Sequence, residues 1–75
     1  MIPLYGFLRG DTIGLLVLAY ESDTMADLAR KLQSAAKVRV APKNGTVLKY
    51  RGMRLDPAVT VGEAGLEPLE RIDVE

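Results

Sequence analysis

The sequence predicts an α+β fold, a mixed sheet of four or five strands packed on one main helix, on three observations. The first is a pair of apolar stretches, Ile2 to Leu8 and Thr12 to Leu18, broken by Arg9-Gly10-Asp11. Two such runs around a glycine-bearing break read as a β-hairpin. The second is a change of period: Ile13, Leu15 and Val17 alternate like one face of a strand, whereas Met25, Leu28, Ala29 and Leu32 recur at helical spacing. The third is a series of short extended segments after the helix, separated by turn residues. A hairpin that feeds directly into one helix, whose apolar stripe must lie on the sheet, is the opening of a β-grasp.

The elements follow in order. With Arg9 and Gly10 as a two-residue loop, Leu4 lies opposite Leu15 and Ile2 opposite Val17, facing the helix. The other face then carries Pro3, Tyr5, Phe7, Leu16 and Leu18, far more apolar than the wet side of an antiparallel sheet. A one-residue slip exchanges two sets that are both apolar, so the surplus survives it. Either the tail or the Val38 to Pro42 segment folds over this face, or another molecule covers it. Thr24 is placed as an N-cap with Asp27 reaching back, an acidic variant of the capping box, and the helix runs from about Thr24 to Ala36. Ala26, Asp27, Arg30, Lys31 and Ser34 form its outer side. Val38-Arg39-Val40 reads as a brief extended segment, and Pro42 with Asn44-Gly45 as a turn. Thr46 to Tyr50 is the third strand, and Arg51 to Leu55 turns over to a short edge segment. Thr60 caps one helical turn through Glu63 that ends at Gly65, and Leu69 to Val74 closes the sheet with Ile72 and Val74 on one side.

Length and composition narrow the function. Seventy-five residues suffice for one domain, 1–75, with one small core. The absence of cysteine excludes disulfides and thiolate metal sites, and the absence of histidine removes the commonest general base and metal ligand. Ten basic residues balance ten acidic ones, interspersed along the chain, which argues against a nucleic-acid partner. No apolar run approaches a membrane span, and Met1-Ile2-Pro3-Leu4-Tyr5 lacks the basic start of a signal peptide, so the expected location is the cytoplasm.

Several motifs reduce to local structure. Arg9-Gly10-Asp11 spells an adhesive tripeptide but is explained by a hairpin turn. Asn44-Gly45-Thr46 fits a glycosylation sequon but reads as a turn before a strand. Glu63, Glu67 and Glu70 do not make a metal site, since Pro68 interrupts any helix that could align them. Gly10, Gly14, Gly62 and Gly65 are too dispersed to cradle a phosphate, and Asp11, Asp23 and Asp56 form no catalytic pair. The expectation is therefore no catalytic residue, no cofactor and no metal. Contact candidates are Tyr5, Phe7, Leu16 and Leu18 on the hairpin, with Lys49 and Arg51 as additions.

From Gly10 onward the chain resembles ubiquitin-like proteins, in the order strand, strand, helix, strand, short strand, short helix, strand. Gly10-Asp11-Thr12-Ile13, Ser22-Asp23-Thr24, Leu48 to Leu55 and Thr60 to Leu66 carry the resemblance. Within that superfamily, Arg39-Val40-Ala41-Pro42 and, more specifically, Gly65 to Val74 resemble the small subunit (system protein B, or gamma subunit) of toluene-4-monooxygenase-type bacterial diiron hydroxylases. The resemblance implies a non-catalytic protein-protein interaction module docked on a large diiron hydroxylase subunit. The alternatives are a ubiquitin-like protein modifier and a standalone regulatory binding module. Against the modifier stand the ending Asp73-Val74-Glu75, where conjugation needs a flexible glycine tail, and Lys49 at the position resembling the centre of ubiquitin's apolar recognition patch.

Overall fold

A computed structural model describes residues 1–11, 13–38, 40–41 and 45–75. Strands β1 (Ile2–Leu8) and β2 (Leu15–Ala19) form the hairpin, α1 (Met25–Ala36) follows, and then come β3 (Leu48–Tyr50), β4 (Met53–Leu55), the short helix α2 (Val61–Ala64) and β5 (Arg71–Val74). The five strands make one sheet in the order β2-β1-β5-β3-β4. β1 and β5 are parallel neighbours at its centre, and the other pairs are antiparallel. This is the β-grasp that the hairpin and capped helix predict, with five strands.

The core lies between α1 and one face of the sheet. Met25, Leu28, Ala29, Leu32 and Ala36 are buried on the helix. Opposite them are Leu4, Leu8, Val17, Ala19, Leu48, Ile72 and Val74, all buried. Val61 and Leu66, from α2 and the residues after it, complete the cluster. Gln33 is the one buried polar side chain among the described residues, and its Nε2 donates to Thr46 Oγ1 at 3.4 Å.

Both helices start on the same device. Thr24 Oγ1 accepts from the Asp27 N–H while the Asp27 carboxylate accepts from the Thr24 N–H, and Thr60 and Glu63 repeat the arrangement. The two caps face each other in an isolated antiparallel bridge, Thr24 to Thr60. Met25 N–H donates to the Val59 carbonyl and Val61 N–H to the Asp23 carbonyl, both at 2.8 Å, so the start of α1 is tied to the start of α2. Gly65 then closes α2 in the left-handed region at φ 70, where a residue with no Cβ costs least.

Three expectations are corrected. The hairpin register is shifted by two: Leu4 pairs with Val17 rather than Leu15, and Ile2 with Ala19 rather than Val17. The connection is longer than the two-residue loop because Asp11 N–H bonds the Leu8 carbonyl and the Asp11 side chain accepts from Ile13 N–H, which draws this segment away from the ladder. Because the shift is even, each paired side chain stays on the face assigned to it. Ile13 leaves the inner face and is exposed in the loop, so β2 begins at Leu15. Val38 lies in a turn and not in an extended segment, since Val40 N–H bonds back to the Ala36 carbonyl. Thr12, Arg39 and the expected turn at Pro42 and Asn44 lie outside the described residues.

The cap geometry gives a direct test. Thr24→Ala removes one of the two reciprocal bonds at the start of α1 and is expected to lower the unfolding free energy by about 1 kcal/mol. Urea denaturation measures this as a lower midpoint at unchanged slope, and an unmoved midpoint would show that the cap contributes nothing.

Candidate interaction surface

Several exposed large apolar side chains gather on the face of the sheet that α1 does not cover. Alternation along β1 and β2 puts Pro3, Tyr5, Phe7, Leu16 and Leu18 there, because Leu4, Gly6 and Leu8 and then Val17 and Ala19 point inward. Tyr5 pairs with Leu16 and Pro3 with Leu18, so these side chains are cross-strand neighbours. Tyr5 is 45% exposed, Leu16 57% and Leu18 49%, which makes an open patch of three large side chains. Neither the tail, which forms β5, nor Val38 covers it.

Phe7 is half-buried for two reasons. The Arg71 guanidinium stacks over its ring, 4.1 Å from the centroid. Gly14 lies under the ring edge, where an added Cβ would come 2.6 Å from Phe7 Cζ. Phe7 therefore floors the patch more than it projects from it.

Across the sheet the same face becomes charged. Phe7 pairs with Asp73, Asp73 with Lys49, and Lys49 with Arg54. Arg71 Nη2 reaches Asp73 Oδ1 at 3.0 Å and Lys49 Nζ reaches Glu75 Oε1 at 3.3 Å. Exposed pairs of this kind contribute roughly 0–1 kcal/mol and act more as a polar rim than as a brace. Lys49 thus shares the face with the hairpin residues, although β1 and β5 stand between β3 and β2, a separation of about 14 Å at ordinary strand spacing.

Arg51 is not brought to the patch. It sits in the β3–β4 turn at φ 54, its guanidinium 5.2 Å from the Tyr50 ring, and Nη2 donates to Glu70 Oε1 at 2.9 Å. Glu70 Oε2 accepts from Tyr50 Oη at 2.5 Å and from Glu67 N–H at 2.9 Å. One carboxylate thereby fastens the β3–β4 turn to the segment entering β5. The Glu67 N–H, then the Tyr50 hydroxyl and the Arg51 guanidinium, hold the Glu70 carboxyl below its ordinary value, and the bond to Glu70 raises Tyr50 above its own.

The sequence reading missed Arg71 and Asp73 as members of this face. The signal was available: Ile72 and Val74 point inward, so Arg71 and Asp73 must point outward beside β1.

The grooves are shallow. One, about 400 Å³, runs between α1 and β3–β4 and includes Ala26, Ala29, Leu48 and Leu55. Its polar side chains are engaged, Gln33 with Thr46 and Arg30 with Asp27. Among the described residues no group of three or more His, Cys, Asp or Glu could hold a metal ion, and no helix is long and apolar enough to cross a membrane.

Comparisons with known proteins bear on the family and the fold. The family model for toluene-4-monooxygenase system protein B (TmoB) matches residues 1–75. Among curated proteins nothing matches the chain. A chain of the toluene 4-monooxygenase HD complex with the inhibitor 4-bromobenzoate superposes with a TM-score of 0.89 at 28% identity, covering 97% of this chain and 94% of that one. The ubiquitin of Caldiarchaeum subterraneum gives 0.82 at 18% identity, over 97% and 89%. A chain from a structure on molecular mimicry of SUMO in DNA repair gives 0.78 at 21% identity, over 99% and 89%. The last two show the fold alone, which is the ubiquitin-like β-grasp.

The Glu70 contacts predict an acid limb in the stability profile. With its folded pKa below the ordinary 4.5, ionised Glu70 contributes stability above that value, and the contribution is lost as pH falls from there through the folded pKa. Urea midpoints followed from neutral pH down through that range should fall more steeply in the wild type than in Glu70→Gln. Parallel profiles would remove Glu70 from the account.

Proposed function

The chain belongs to the toluene-4-monooxygenase system protein B family, and on that premise we propose that it is the small ubiquitin-like subunit of a multicomponent aromatic monooxygenase. It docks on a larger, diiron-bearing hydroxylase subunit and supplies binding surface without chemistry of its own. In this reading residues 1–75 act as one cytoplasmic domain with no cofactor.

The observation that carries the reading is the open apolar face of the hairpin. Tyr5, Leu16 and Leu18 form its centre, Phe7 its floor and Lys49 its far rim, while Arg51 serves the β3–β4 turn and contributes indirectly. Burying the three exposed side chains supplies roughly 1.5–3 kcal/mol each, set against the loss of translational and rotational freedom on association. The lack of histidine and cysteine supports a role without catalysis.

Co-expression with the hydroxylase subunit, followed by calorimetric titration of the purified partners, tests the docking face. Leu16→Glu and Leu18→Glu should each weaken binding at least tenfold, a loss of about 1.4 kcal/mol, with far-UV circular dichroism unchanged. Val38→Glu, which changes an exposed side chain beyond the end of α1, should bind like wild type. Equal affinity for all three variants would move the interface elsewhere.

A further inference from the structure

The β2 strand forms one edge of the sheet, and the direction of its backbone groups follows from the pairing of β1. The Pro3 carbonyl accepts from Leu69 N–H and the Tyr5 N–H donates to the Glu70 carbonyl, so the odd-numbered residues of β1 turn their backbone groups toward β5. The ladder with β2 therefore runs through Ile2, Leu4 and Gly6 with Ala19, Val17 and Leu15. Leu16 and Leu18 are left with N–H and C=O groups aimed at the open edge, and their exposed side chains lie on the uncovered face.

One of those groups is already taken. Lys31, on the outer side of α1, reaches over the edge, and its Nζ donates to the Leu18 carbonyl at 3.1 Å. The ammonium is held there by Asp23 Oδ2 at 2.6 Å and lies 5.3 Å from the centre of the Tyr20 ring. Asp23 Oδ2 also accepts from Tyr20 N–H at 2.8 Å, so the connector between β2 and α1 is folded around this ammonium. Lys31 is thus fixed at the edge from three sides.

We propose that Lys31 guards the β2 edge, keeping a second copy of this chain from adding antiparallel to β2. The edge is self-complementary. A two-fold axis through Val17 would set Leu16 of each copy against Leu18 of the other, giving a reciprocal pair of hydrogen bonds at each end. Half of those four bonds need a Leu18 carbonyl, the group that Lys31 holds. The same pairing would join the Leu16 and Leu18 side chains of both copies into one apolar cluster, so an unguarded edge would be adhesive. This role concerns the edge of the sheet and stands independently of docking through its face.

Sedimentation velocity on the full chain tests the guard. Wild type is expected to run as a monomer. Lys31→Met keeps the aliphatic stem and removes the donor, and should double the apparent mass in a concentration-dependent way. Adding Leu16→Pro removes the edge-directed N–H without touching the β1 ladder and should restore the monomer, whereas adding Leu16→Ala should leave the dimer. Should Lys31→Met lose its helical circular dichroism, Lys31→Ala, which also lacks a donor, repeats the test. A wild type that is already dimeric, a folded Lys31 variant that stays monomeric, or a dimer insensitive to Leu16→Pro would each overturn the proposal.

Discussion

A single twelve-residue helix has to cover five strands, and most of the structure follows from how that is done. At 1.5 Å per residue α1 is about 18 Å long, and with side chains about 10 Å across, while five strands span about 20 Å. It can seal one face of the sheet and no more. Gly6 lets it settle close, since an added Cβ there would come 2.8 Å from Leu32 Cδ1. Where the helix runs out, Val61 and Leu66 fill the margin. Among the described residues the opposite face has no such cover, and Tyr5, Leu16 and Leu18 at its hairpin end stay exposed.

The two capping boxes extend the same constraint to the connections. Because the first turns of α1 and α2 hydrogen-bond to each other, the long segment between β4 and β5 is anchored at the point where the main helix begins. The two helix N-termini, both partially positive, are brought together, and Asp27 and Glu63 at the third position of each helix offset that charge. Glu70 plays the matching part on the other side, joining a turn to a strand entry through three hydrogen bonds. Long connections in so small a domain are thereby held by polar contacts at their ends, with little core of their own.

How much of this was legible in the sequence depends on the range of the interactions concerned. Caps are local: Thr24 with Asp27 and Thr60 with Glu63 act over three residues, so both helix starts can be read directly, as can Gly65 at the end of α2. Strand faces were legible through alternation, and the apolar excess on Tyr5, Leu16 and Leu18 did not depend on register. The register itself was not legible, because it rests on Asp11 folding back on the Leu8–Ile13 segment, a choice between turn geometries that composition leaves open. The engagement of Arg51 was hidden for a different reason: its partner, Glu70, is nineteen residues away, and only the assembled sheet brings the two together. Lys31 looked like an ordinary solvated position on a helix, and its place at the sheet edge emerges only from the crossing of α1 over β2.

The central position of β5 has one more consequence. The final strand lies between β1 and β3, and without it the two hairpins share no ladder. During synthesis β1 therefore waits for Arg71–Val74 before the sheet can close. A chain that has made the hairpin and helix but not yet β5 has no continuous sheet, so closure is a late, long-range step that joins the two halves of the fold at once.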